Sequence, residues 1–174
     1  ADSIFFEGVS CVAAAADGRI ITGVDAGRYY DEEEDVNFDE DNVKVWRDGL
    51  CTLSFFAHLD TVTGVAVLPG GSRFISGSSD KSVKLWSLDG ALERTFEMGD
   101  WAECVAALPD GVHFVVSVDN EVRLYHVDGT LVHTFKGHTD IVYALTVTPD
   151  GQHIISGAAD EIIKVWSVAT KSLV

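Results

Sequence analysis

This sequence predicts an all-β chain assembled from four copies of one four-stranded unit, and three observations carry that reading. Related tetrapeptides end on an aromatic residue four times: "VKVW" at 43–46, "VKLW" at 83–86, "VRLY" at 122–125 and "IKVW" at 163–166. Trp46, Trp86, Tyr125 and Trp166 therefore recur at intervals of 40, 39 and 41 residues. The segments between them are short, alternating and rich in Val, Ile, Leu, Thr and Phe, and none keeps a 3.6-residue period over a helix length. Turn signals fall at matching places: "ADG" at 16–18, "PGG" at 69–71, "PDG" at 109–111 and 149–151, then Asp-Gly at 48–49, 89–90 and 128–129.

The units run at about 4–56, 57–97, 98–136 and 137–174. In each, a first strand leads through a turn into a second, marked by "ITG" (21–23), "ISG" (75–77), "VVS" (115–117) or "ISG" (155–157). The third strand ends on the repeating aromatic, and a fourth follows the Asp-Gly turn. Unit two shows the plan most plainly. "VTGVAVL" (62–68) and "RFISG" (73–77) flank Pro-Gly-Gly, while "SVKLWSL" (82–88) and "ALERTFE" (91–97) flank Asp89-Gly90. Glycine supplies positive φ at little cost, so each pair reads as a hairpin. A four-stranded antiparallel meander repeated about an axis is a β-propeller blade. Unit one departs from the plan: 23 residues separate Thr22 from Trp46, where units two and four have nine in the same interval. The surplus, at about 26–40, reads as an acidic insertion between second and third strands. Its density of acids invites calcium, but no glycine stands at the turn position an EF-hand loop requires.

Apolar residues make up 47% of the 174 and charged ones 23%, the composition of a folded chain. No apolar run approaches a membrane span, so no membrane partner is expected. The absence of an initiating Met suggests numbering that starts inside a longer or processed chain. Cys11, Cys51 and Cys104 are odd in number and lack Cys-x-x-Cys spacing, which points to reduced thiols and a cytoplasmic or nuclear setting. Net charge is −16, and eight of the 28 acids lie in "DEEEDVNFDED" at 31–41. Such a surface repels phosphate backbones, disfavouring nucleic acid, and attracts a basic peptide or protein.

His58, Ser76 and Asp80 have the residue types of a catalytic set. Their spacing decides otherwise. From His58 to Ser76 is 18 residues, to Asp80 four more, and to Trp86 six more; His138, Ser156, Asp160 and Trp166 repeat the same steps. Catalysis needs one constellation at one pocket, whereas a set present once per unit belongs to the unit. Trp donates, Ser donates and accepts, His does either and Asp accepts, so the four can close a buried hydrogen-bonded chain. No phosphate-binding glycine loop, Gly-x-Ser-x-Gly elbow or His-Glu-x-x-His occurs, and no cofactor is implied. His133 and His138 have no carboxylate or cysteine to complete a metal site. The expectation is a protein without catalytic residues, metal or cofactor.

"AHLDTVTGVAVLPGGSRFISGSSDKSVKLWS" and "GHTDIVYALTVTPDGQHIISGAADEIIKVWS" resemble WD40 repeats from His to Trp. The Asp that usually follows Trp is replaced by Arg47, Ser87, His126 and Ser167. Units one and three are degenerate: unit three has Asp100 where His would fall, Tyr125 for Trp and Asp119 nearest the Asp role, and unit one has no histidine. The resemblance implies a propeller, usually of about seven blades. Four units leave three arrangements open: part of a longer propeller with further blades in the same chain, a ring of two copies, or a small closed ring. "DSIFF" near the start would serve as an outer strand. The resemblance also implies a protein-interaction scaffold whose top face binds a peptide or partner domain. By spacing from the two histidines, that face carries Thr61, Thr63, Ser79, Ile141, Tyr143 and Ala159. By alignment it carries Trp101 and Glu103, with Gly8 and Ser10 in unit one. The acidic insertion emerges there too, so the expected partner is basic and anchored on an aromatic. An architectural subunit of a large assembly, using the blade rims, is the alternative, as is the WD40 part of a longer multidomain protein.

Overall fold

The computed structural model describes residues 8–25 and 41–174, and within them every regular element is a strand. The insertion at about 26–40 and the "DSIFF" segment lie outside the described residues. Blade one comprises β1 (Val9–Ala14), β2 (Ile20–Val24), β3 (Val43–Arg47) and β4 (Leu50–Phe55). Blade two comprises β5 (Val62–Val67), β6 (Arg73–Ser78), β7 (Ser82–Ser87) and β8 (Leu92–Glu97). Blade three comprises β9 (Ala102–Ala107), β10 (His113–Val118), β11 (Glu121–His126) and β12 (Leu131–Lys136). Blade four comprises β13 (Val142–Val147), β14 (His153–Ala158), β15 (Ile163–Ser167) and the two-residue β16 (Ser172–Leu173). Each blade is one antiparallel sheet with its strands in chain order, the meander that short alternating segments and tight turns produce. The β3–β4 turn shows the local cause: Asp48 and Gly49 both have positive φ, 51° and 78°, as a type I′ hairpin needs.

The blades stand side by side, and the apolar core lies in the seams between them. Ile21, Val43 and Val45 of blade one pack with Val62, Val65, Phe74 and Trp86 of blade two. Ile75, Val83, Leu85 and Phe96 pack with Ala102, Val105, Phe114 and Tyr125 of blade three. Val115, Val122, Leu124 and Phe135 pack with Val142, Ile154 and Trp166 of blade four. The repeating aromatic thus fills the seam toward the preceding blade. A bulge recurs in the inner strand at Val9/Cys11, Val62/Gly64 and Val142/Ala144, with its blade-three counterpart opposite Ser117/Val118. An inner-strand bulge adds local twist, and its recurrence makes the seams alike.

Candidate functional site

Blade two begins with the loop before β5, which places His58 against the second and third strands. Its Nε2 lies 2.6 Å from Ser76 Oγ, and its Nδ1 lies 2.9 Å from Asp80 Oδ2. Trp86 Nε1 donates to the same Ser76 hydroxyl at 2.9 Å. With a proton on Nδ1, the chain runs one way: indole N–H to serine, serine O–H to imidazole, imidazole N–H to carboxylate. Leu59 N–H and Ser82 N–H also donate to Asp80, each at 3.0 Å, and Ser82 Oγ does so at 2.7 Å. Burial by itself would push the Asp80 carboxyl up. The bonds from His58, Ser82 and Leu59 outweigh it and hold that carboxyl well below the usual range. Burial pushes the His58 imidazole down, against the pull of Asp80, so it stays neutral and keeps its acceptor nitrogen for Ser76. Such a histidine is oriented as a strut: both ring nitrogens are occupied and its side chain is fully buried.

Blade four repeats the geometry. His138 lies 2.8 Å from both Asp160 and Ser156, and Trp166 donates to Ser156 at 2.8 Å. Blade one keeps one link, Trp46 Nε1 to Thr22 Oγ1 at 2.9 Å. In blade three Asp119 sits in the two-residue turn between β10 and β11 with φ 54°, and among the described residues no hydrogen bond ties its side chain to a strand. Two further contacts, not anticipated from the repeat pattern, hold the pre-strand loops. Buried Asn42 donates to His58 O at 2.6 Å and accepts from the N–H groups of Ala57 and His58, fastening blade one to blade two. Lys84 Nζ reaches Ala57 O at 2.5 Å, and in blade three Arg123 Nη1 reaches Met98 O at 2.8 Å. The available signal was positional: Asn42 precedes "VKVW" as Ser82 precedes "VKLW".

The face formed by the pre-strand loops and the second-to-third turns carries the remaining candidates. Thr61 Oγ1 donates to Asp25 at 2.5 Å, and Thr61 O accepts from Ser79 N–H at 3.0 Å. Ala159 N–H donates to Ile141 O at 2.8 Å in the corresponding place of blade four. Thr63 is engaged by the next blade, its hydroxyl donating to Ala102 O. Aspartates start three inner strands alike: Asp60, Asp100 and Asp140 accept from the N–H groups of Thr61, Trp101 and Ile141. Trp101 is 53% exposed and Tyr143 58%. Glu103 is half-buried, and burial together with the nearby Asp100 pushes its carboxyl up. The face is therefore acidic, with Asp25, Asp100, Asp119, Asp140 and Glu161 at its edge and Lys81 the neighbouring cation.

Four-stranded blades joined through apolar seams, two of them pinned by a repeated His–Ser–Asp–Trp chain, define a β-propeller architecture. The family model described as "WD domain, G-beta repeat" matches residues 49–87 and 129–167, the stretches that hold both complete chains. The chain is 27% identical over 134 residues to pre-mRNA-processing factor 17 of Saccharomyces cerevisiae, covering 71% of this chain and 30% of that protein. It is 30% identical over 136 residues to the WD repeat domain-containing protein 83 homolog of Dictyostelium discoideum, covering 71% and 39%. Among solved structures, the WD40 β-propeller domain of Doa1 superimposes with a TM-score of 0.74 at 27% identity, covering 90% of this chain and 49% of that one. The chain belongs to the WD40-repeat family. It spans about a third of the length of the two curated relatives named.

Proposed function

We propose that this chain is a non-catalytic protein-interaction scaffold that binds a basic peptide or partner domain on its acidic top face. WD40 relatives named for pre-mRNA processing and for intraflagellar transport support a scaffold role in general terms. The observation that carries the basic, aromatic-anchored reading is Trp101, half exposed at the mouth of β9 beside Asp100 and Glu103. An exposed indole offers a large rigid contact, and a cationic side chain over it gains from both the ring and the adjacent carboxylates. The Ser–His–Asp sets are spent inside the blades, with each imidazole nitrogen already bonded, so they supply no free nucleophile and base. A reduced-thiol, cytoplasmic or nuclear setting is part of the same reading; among the described residues no helix is long and apolar enough to cross a membrane.

The test is affinity capture from lysate with the parent chain and with Trp101→Ala, followed by titration of the captured partner. Trp101→Ala is expected to weaken binding by about tenfold or more, in line with loss of an aromatic hot spot. Added salt should weaken the parent complex as acidic-to-basic attraction is screened. Binding that ignores both Trp101→Ala and deletion of residues 28–40 would overturn the assignment. Sensitivity confined to outer-strand substitutions in β8 or β12 would transfer it to an architectural role on the rim.

A further inference from the structure

We propose that His113 and His126 form a two-imidazole site for one divalent transition-metal ion of the zinc class. They stand at the end of blade three that carries its Pro-Asp-Gly and Asp-Gly turns, and they are direct cross-strand partners of β10 and β11. Beside them Val127 N–H donates to Val112 O at 2.9 Å. That bond makes the histidines a non-hydrogen-bonded pair, the type whose side chains approach most closely. Their ring centres are 4.9 Å apart and the ring planes are inclined by 74°. Two imidazoles bound through Nε2 to one zinc ion, at about 2.1 Å and a near-tetrahedral angle, have ring centres about 5 Å apart.

An orienting carboxylate stands behind each ring. His113 Nδ1 lies 2.6 Å from Asp110 Oδ2, so its proton sits on Nδ1 and its Nε2 keeps a lone pair. His126 Nδ1 lies 3.0 Å from Asp128 Oδ1 and 3.1 Å from Asp128 N. Metal at Nε2 selects the tautomer that donates to the carboxylate, the arrangement that fixes metal-bound histidines. Both carboxyls are charged at neutral pH. Hydrogen bonds from Thr130 and then from His126 hold Asp128 at about 2. Burial by itself would raise Asp110, but Val112 N–H and His113 outweigh it and hold that carboxyl below its ordinary value. Among the described residues neither Nε2 has a protein partner, and the two side chains are 28% and 32% exposed.

The pair belongs to blade three and not to the repeat. At the equivalent positions Arg73 stands opposite Ser87 in blade two, and His153 opposite Ser167 in blade four. The His–Ser–Asp–Trp chains recur and are frame, whereas two facing imidazoles occur in one blade among the described residues. Spacing gave no hint of them, because 13 residues separate the two. The site lies at the opposite end of the blade from Trp101, so it does not rest on the top-face reading. Imidazole suits zinc, nickel and copper, and a chain of net charge −16 draws cations. The described residues offer no set of three histidine, cysteine or carboxylate ligands, so water fills the remaining positions around the ion.

Zinc titration of the 174-residue chain under reducing conditions tests this, read by calorimetry and by imidazole nitrogen NMR. One equivalent of Zn2+ should shift the Nε2 resonances of His113 and His126 together and leave those of His133 and His153 in place. Either His113→Gln or His126→Gln should weaken binding by more than about tenfold, since an orienting carboxylate alone is worth that much. His133→Gln and His153→Gln should leave it unchanged. Zinc should also raise the unfolding midpoint of the parent chain, and not of the two site variants. Should a variant fail to fold, the paired ring shifts of the parent decide. Zinc that excess Mg2+ displaces would belong to carboxylates instead and overturn the proposal. So would binding that survives both site substitutions, or a shift of one ring without the other.

Discussion

Blades two and three share strand order and the inner-strand bulge, yet they tie their pre-strand loops down in different ways. Blade two uses a buried polar chain: Asp80, His58, Ser76 and Trp86, extended by Ser82. Blade three has neither the histidine nor the tryptophan. Its Tyr125 stacks on Phe114 at 5.7 Å, Phe96 meets both rings edge-on, and Arg123 grips Met98 O. The same geometry is thus reached once by directional hydrogen bonds and once by aromatic packing with one charged strut. The polar route specifies orientation but is penalised heavily when one member is lost, because the others stay buried without partners. The aromatic route tolerates loss of polar groups and depends on volume.

That contrast can be broken at its strongest point first. Phe114→Ala should cost about 3–5 kcal/mol, because a fully buried ring between Phe96 and Tyr125 leaves a cavity in the blade two–three seam. Urea unfolding with an unchanged m-value would measure it. His58→Ala should come next, at about 2–3 kcal/mol, since Asp80 loses a charge-assisted bond and Ser76 loses its acceptor. Asp100, expected where the histidine would fall, stands instead at the place of Asp60 and Asp140, and Asp100→Ala at this exposed position should leave the unfolding midpoint where it is. Equal effects of His58→Ala and Asp100→Ala would erase the proposed difference.

Acid sharpens the comparison further. The folded His58 imidazole lies below its unfolded value of about 6.5, so the unfolded chain binds the proton first. Its contribution is fully present above about pH 6.5 and is lost as pH falls through the lower folded value. Asp80 adds a second loss below its unfolded value of about 3.9, again because the folded carboxyl is depressed. Midpoint against pH for the parent chain should therefore fall from pH 7 to 5, and His58→Gln should flatten that slope. The smallest expected loss is that of Trp46→Phe, about 1 kcal/mol, which removes the Trp46–Thr22 bond of blade one. A larger loss would show that blade one depends on that bond as blade two depends on its chain.

Much of this was legible beforehand because it is local. The 40-residue period placed four blades, and strand alternation with Gly-bearing turns placed β5 to β8 within a residue or two of the segments read for unit two. The 18–four–six spacing named side chains that meet within one sheet, where register and turn length decide proximity. Ser82 belongs to the same cluster and was missed because a serine between Lys81 and Val83 looks like turn chemistry. Asp119 illustrates the opposite error: chain order put it nearest the Asp role, but a two-residue turn with positive φ leaves no loop to carry its carboxylate back.

By itself, then, the sequence determined the repeat, the all-β class, the hairpins and the two polar chains, since period-two alternation and turn stereochemistry act over a few residues. Only the tertiary structure decided which residues of one blade meet those of the next: Val105 against Gly64 and Gly77, and Asn42 on the loop that carries His58. Those contacts depend on how two twisted sheets fit face to face, and shape complementarity between non-adjacent strands leaves no periodic trace along the chain.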